Sequence, residues 1–165
     1  MRLTAYTDYS LRSLIFLAMN REHLVTVQHI ADTHGIPKNH LTKVIHQLGV
    51  LGYVTTIRGR NGGLRLGREP GDINIGEVVR HTETDFFMAS CFDAASTDCM
   101  YSAACGLKDV LEQATAAFLA VLDSVTLDQL VVKKVRKLRA EAAPPRRAIG
   151  TGAVTLHFKP AAKRR

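Results

Sequence analysis

The chain has no tryptophan, and aromatic residues make up only 6% of its 165 positions. It also lacks any uninterrupted apolar run approaching the roughly 18 residues that a helix needs to cross a bilayer. The first ten residues, "MRLTAYTDYS", have no apolar signal region, so the expected location is the cytoplasm. Cysteine is scarce and odd in number: Cys91, Cys99 and Cys105, all within one 15-residue window. An odd set in a chain read as cytosolic argues against a disulfide framework. Acidic residues are missing from one stretch in particular. No Asp or Glu lies between Asp32 and Glu69, while Lys38, Lys43, Arg58, Arg60, Arg65 and Arg68 all do. A local charge of +6 is the footprint expected where a protein meets a polyanion.

The net charge of +7 divides unevenly. From Lys133 onward there are 11 basic residues against Glu141 alone, a charge of +10, which leaves −3 for residues 1–132. The end of the chain, rich in Pro, Ala and Arg and without a period, reads as an unstructured basic tail. With 46% hydrophobic residues the remainder suits one compact domain with a longer element projecting from it.

Leu11, Leu14, Ile15 and Ala18 recur at helical spacing, with Thr7 as the expected N-cap. Further on, Ile30 and Ala31 belong to a short helix, Gly35 follows Ala31 by four residues, and Ile36, Leu41, Val44 and Ile45 supply the apolar face of another. That pattern predicts a helix-turn-helix. The small Ala lies where the helices touch, Gly35 takes the conformation of the turn, and Pro37 suits the start of the second helix. Val54 and Thr56 before "RNGG", with Leu64 and Leu66 after it, predict two short strands joined by a tight glycine turn. "INIGEVVRHTE" predicts one more short helix, capped by Asn74. The fold class is therefore mainly α with a small β-hairpin wing: a winged helix-turn-helix.

"RGRNGGLRLG" has neither the G-x-G-x-x-G of a dinucleotide fold nor the Gly-Lys-Ser/Thr of a Walker loop, and a strand follows it rather than a helix. The phosphates it meets are read as those of double-stranded DNA. Arg58, Arg60 and Arg65 would hold the backbone or enter the minor groove, while Asn61, Gly62 and Gly63 let the tip approach closely. Lys38, Asn39, His40, Thr42 and Lys43, on the N-terminal face of the second helix of the motif, would face base edges or phosphates.

Leu107, Leu111, Ala114, Phe118, Val121 and Val125 recur at spacings of 4, 3, 4, 3 and 4, a heptad seam. A homodimer built on residues 106–125 would bury it, and packing on the helix's own domain is the alternative. The division expected is a winged helix-turn-helix over 1–82, a cysteine loop over 83–105, a dimerisation helix and short terminal helix over 106–132, and the tail over 133–165. The C-x7-C-x5-C spacing lacks the close pairs usual in structural zinc sites. Iron-sulfur clusters accept wider spacings and a non-cysteine fourth ligand. An iron-sulfur cluster, zinc and unliganded or redox thiols all remain open on spacing alone. A thiol redox enzyme would want C-x-x-C, which is absent, so no enzyme is expected. A DNA-binding architectural protein with inert cysteines is a further alternative.

"LTAYTDYSLRSLIFLA", "NHLTKVI", "QLGVLGYVTTIRGRNGGLRLG", "INIGEVVR", the three-cysteine loop and "TLDQLV" occur in an order that resembles the winged-helix iron-sulfur transcriptional repressor family. The likeness covers about residues 1–132 and is closest to the nitric-oxide-sensing members. It implies a dimer with one cluster per subunit held by Cys91, Cys99 and Cys105, of the 4Fe-4S rather than the 2Fe-2S type. It also implies Asp8 of the other subunit as fourth ligand. Members that sense cluster status use a His shortly after the third Cys; Lys108 stands there instead, and no His occurs between His81 and His157. The function implied is a repressor released from its operator when nitric oxide modifies the cluster, controlling nitric-oxide stress genes. A same-fold regulator of iron or cluster status is the alternative.

Overall fold

The computed structural model describes residues 2–93, 99 and 105–131. The tail over 133–165, expected to be unstructured, and residues 94–98 and 100–104 of the cysteine segment lie outside the described residues. In chain order the elements are α1 (Ala5–Met19), α2 (Val27–His34), α3 (Lys38–Val50), β1 (Val54–Ile57), β2 (Gly63–Leu66), α4 (Ile75–Thr82) and α5 (Gly106–Asp123), with single 3-10 turns at Pro70–Asp72 and Ser90–Phe92. Residues 127–131 are again helical. The predicted winged helix is present.

Helix α1 begins one turn before the expected position. Thr4 is the N-cap, its Oγ1 accepting the Thr7 amide proton at 3.2 Å, and Thr7 itself lies fully buried inside the first turn. The two threonines are three residues apart, so local sequence does not separate them. Glu83, 79 positions away, does, by accepting from both the Thr4 amide (2.8 Å) and its hydroxyl (3.2 Å). Ser10 and Ser13 are buried because each hydroxyl donates to the carbonyl four residues back, Tyr6 and Tyr9.

The turn between α2 and α3 follows expectation. Gly35 has φ +63°, the left-handed conformation that costs glycine nothing, and Ile36 donates to the Ala31 carbonyl at 3.0 Å. Ala31 is buried at the helix contact, and Pro37 is the N-cap of α3, its carbonyl accepting from His40 and Leu41.

Strands β1 and β2 pair antiparallel, with Val54 opposite Leu66 and Ile57 opposite Gly63. Val25 adds an isolated antiparallel bridge to Leu64, bonded in both directions at 3.1 and 2.8 Å. The connection is a five-residue loop over 58–62, not a tight turn on the Gly62–Gly63 pair. The positive φ, +119°, belongs to Gly59. Gly62 and Gly63 are glycine for another reason. A Cβ on Gly62 would overlap the Ile57 carbonyl oxygen, and one on Gly63 would lie 2.9 Å from Leu24 Cβ.

The core joins Leu14 and Leu17 of α1, Ile30 of α2, Leu41, Val44, Ile45 and Leu48 of α3, Tyr53, Leu64 of β2, and Ile73, Val78 and Val79 around α4. Asn74 caps α4 as expected, accepting from Glu77 at 3.0 Å. Helix α5 contributes no buried residue. Its C-terminal end rests on the core through Leu122, with Val125 and Leu127 just beyond.

Candidate nucleic-acid interface and cysteine segment

Helix α3 is two-faced. Leu41, Val44, Ile45 and Leu48 are buried, whereas Lys38, Asn39, His40, Thr42 and Lys43 are all exposed. The inward stripe pins the helix against α1 and α2 and turns the polar residues outward. Thr42 has part of its capacity committed, because its hydroxyl donates to the Lys38 carbonyl at 2.9 Å.

On the hairpin, Arg58, Arg60, Asn61 and Arg65 are exposed, and Gly62 and Gly63 are half-buried. Thr55 and Arg65 are cross-strand partners. None of Lys38, Lys43, Arg58, Arg60 and Arg65 takes part in the ion pairs among the described residues. Their charge is uncompensated locally and open to an external anion.

Arg68 behaves differently from the other five basic residues of this stretch. Its guanidinium stacks 4.8 Å above the Tyr53 ring, donates to the Leu51 carbonyl at 3.0 Å and pairs with Glu77 at 3.6 Å. It props the base of the hairpin. Sequence reading also missed Tyr6 and Tyr9. With Ala5, His40, Lys43 and Val44 they line a cavity of about 250 Å³ between α1 and the polar edge of α3. Burial pushes the Tyr6 phenol up, so it stays a neutral donor there. Only the packing of α1 on α3 reveals that these residues meet.

The three thiols are all free and half-buried. Cys91 lies in the 3-10 turn Ser90–Phe92, and Cys105 is the N-cap of α5, with no hydrogen bond from its side chain into the helix. Asp8 lies in the first turn of α1, where Arg12 Nε donates to its Oδ1 at 2.9 Å; both side chains are about half exposed. Among the described residues, no group of three or more His, Cys, Asp or Glu side chains is close enough to hold a metal ion. One subunit therefore does not bring the expected ligands together. The donor set nonetheless suits a thiophilic centre. It has three soft sulfur donors, one unengaged at the positive end of a helix that favours negative charge, and a carboxylate with one oxygen uncommitted.

The seam expected on α5 is open. Leu107 is 64% exposed and Val121 65%, Ala114 is exposed, and Leu111 and Phe118 are half-buried. A different stripe, Glu112, Thr115, Ala116 and Leu119, faces Phe86, Phe87 and Phe92 across an apolar cleft of about 550 Å³. Among the described residues, no helix is long and apolar enough to cross a membrane.

A family model described as Rrf2, an iron-dependent transcriptional regulator, matches residues 3–133. A Bacillus licheniformis protein named HTH-type transcriptional regulator NsrR is 57% identical over 141 residues, covering 84% of this chain and 99% of its own. The protein of the same name in Bacillus subtilis is 61% identical over 135 residues, 81% of this chain and 92% of its own. Among solved structures, CymR (YrzC), the global cysteine regulator of B. subtilis, is similar with a TM-score of 0.66 at 26% identity, covering 81% of this chain and 98% of its own. IscR of T. potens shares the fold with a TM-score of 0.65 at 24% identity, over 87% and 93%.

Proposed function

Since the chain belongs to the Rrf2 family of transcriptional regulators, we propose that it is a dimeric iron-sulfur repressor that leaves its operator when nitric oxide modifies the cluster. It is a winged-helix DNA-binding repressor and not an enzyme. The observation that carries its DNA-binding part is the presence of two exposed basic surfaces in a stretch without acidic residues: the polar face of α3, and Arg58, Arg60 and Arg65 on the hairpin.

In this reading Lys38, Asn39, His40, Thr42 and Lys43 enter the major groove. Arg58, Arg60 and Arg65, with Asn61 and Gly62 at the tip and Gly63 at the start of β2, hold phosphates or the adjacent minor groove. The open seam on α5 supports a homodimer through Leu107, Leu111, Ala114, Phe118 and Val121. If the two subunits together neutralise about 6 to 10 phosphates, affinity falls by about 10³ to 10⁵ between 50 and 200 mM salt.

Cys91, Cys99 and Cys105 would hold the cluster, of the 4Fe-4S type, with Asp8 from the other subunit of the dimer as fourth ligand. When bound, it supplies iron that reacts with nitric oxide. Arg12 leaves one oxygen of Asp8 free for that role and holds the other in place. The resemblance to nitric-oxide-sensing repressors and the identity with proteins named NsrR support nitric oxide as signal, nitric-oxide stress genes as targets and the cytoplasm as location. The family description, an iron-dependent regulator, favours a second reading in which iron or cluster status is the signal.

Iron and acid-labile sulfide, measured per chain on protein purified without oxygen, test both readings before nitric oxide is titrated against the operator complex. About four of each and release by nitric oxide support the first. About two of each, with binding that follows iron supply and ignores nitric oxide, support the second. Tight operator binding by a metal-free, colourless protein that nitric oxide leaves unchanged overturns both.

A further inference from the structure

Helix α4 and its cap direct their polar side chains to two neighbours. Toward α5, Arg80 makes a two-point bond to the Asp123 carboxylate, Nη2 donating to Oδ2 at 2.7 Å and Nη1 to Oδ1. Asn74 Nδ2 donates to the Asp123 carbonyl at 2.6 Å. The backbone closes the same joint: Ile75 donates to Val125 at 3.0 Å, and Leu127 to Ile73 at 2.9 Å. Gly76 makes room for it, because a Cβ there would overlap Asp123 Oδ1. The bond from Arg80 holds the Asp123 carboxyl below the usual carboxylate range, so the clasp is charged at neutral pH.

Toward the DNA-binding surface, His81 Nδ1 meets the Tyr53 hydroxyl at 2.9 Å, and Glu77 pairs with Arg68, whose guanidinium covers the Tyr53 ring. Burial, and secondarily Glu77, pushes the Tyr53 phenol well up, so it stays a neutral hydroxyl beside His81. Tyr53 lies between the end of α3 and β1, and Arg68 lies just beyond β2. One short helix thus holds the C-terminal end of α5 with Asn74 and Arg80, and the base of the hairpin with Glu77 and His81.

We propose that α4 is the transmission element between the dimer helix and the DNA-reading surface, with Arg80 and Tyr53 as the positioning residues of its two grips. The inference rests on the proposed function, since it states how the cysteine segment reaches the DNA. That segment runs from the end of α4 to the start of α5. Because the far end of α5 is clasped to α4, a rearrangement of the segment displaces α4, and the Tyr53 and Arg68 contacts pass the displacement to the hairpin and α3. A change in dimer spacing alone would use neither grip.

The test compares full-length parent, Arg80→Gln, Arg80→Lys and Tyr53→Phe. Arg80 is exposed, and phenylalanine keeps the buried ring and its cation partner, so the variants fold. Operator affinity is measured by fluorescence anisotropy on cluster-loaded and cluster-free dimer, and the ratio of the two is the readout. We expect Arg80→Gln and Tyr53→Phe each to shrink that ratio by about 2- to 30-fold, and Arg80→Lys to retain part of it. A second readout needs no cluster. Amide hydrogen exchange of β1 and β2 accelerates in cluster-free Arg80→Gln, although Arg80 bonds to neither strand. An unchanged ratio in both Gln and Phe variants, with unchanged exchange in the strands, overturns the proposal. A parent whose loaded and cluster-free forms bind the operator equally overturns the sensor reading instead, and strand exchange then still decides whether α4 carries a signal.

Discussion

The segment from Leu14 to Val79 and helix α5 are built on opposite terms. Among the described residues, every core side chain except Leu127 lies in the first, and α5 contains none. Yet α5 is the longest helix among the described residues, with Leu107, Val110 and Val121 each at least 60% exposed. The exposed stripe of α5 is what the proposed dimer would cover. The difference separates two kinds of stability: a winged helix that closes its own core, and a helix whose exposed apolar side chains would be covered only in the proposed dimer.

Substitutions that act on one side and spare the other would sharpen that contrast. The largest effect is expected inside the closed core. Leu41→Ala, at a fully buried position of α3, should lower the unfolding free energy by about 2–5 kcal/mol, read from chemical denaturation. A loss below 1 kcal/mol would mean that α3 is not fixed by its inward face. On the open helix, Leu107→Glu should leave the circular dichroism of the fold unchanged while raising the dimer dissociation constant by about 10²-fold or more, since burying an unpaired charge costs several kcal/mol. Sedimentation equilibrium measures it; a dimer as tight as the parent's would place the seam elsewhere.

A smaller effect is expected at the hairpin tip. Arg60→Ala should weaken operator binding several-fold at low salt and flatten the log-log salt slope by about 0.9 per lost phosphate contact. An unaltered slope would remove Arg60 from the interface. The smallest joins the two regions. In Arg80→Gln the Asp123 carboxyl should titrate closer to its ordinary value, because the hydrogen bond that lowers it is gone. With the carboxyl's folded value depressed, the stabilisation from this bond is present above the ordinary carboxylate range and is lost as pH falls through the lowered value. Side-chain carboxyl NMR against pH detects the difference, and coincident curves would deny the clasp.

Much of the closed region was legible because its signals are local. Ala31, Gly35 and Ile36 announce a helix-turn-helix by spacing, Asn74 announces a cap, and alternation around residues 54–66 announces strands. What escaped depended on residues far apart in sequence. Thr4 rather than Thr7 caps α1 because Glu83 comes to it. Arg68 looked like one more basic residue of the interface until Tyr53, Leu51 and Glu77 surrounded it. The glycine pair resembled a turn, whereas Gly59 makes the turn. The cysteine window was plain as a composition, but among the described residues its thiols do not meet in one metal-sized group, which spacing could not tell.

The contact between Gly63 and Leu24 limits how this hairpin can diverge. With Leu24 Cβ less than 3 Å from where a Gly63 side chain would begin, and Val25 bridged to Leu64, the second strand is seated on the stretch that enters α2. A hairpin carrying any side chain at position 63 would need a different seat from the one Leu24 and Val25 provide. Exposed side chains at 58–61 and at Arg65 can change without touching that seat, whereas a side chain at position 63 requires residues 24 and 25 to give way in the same step.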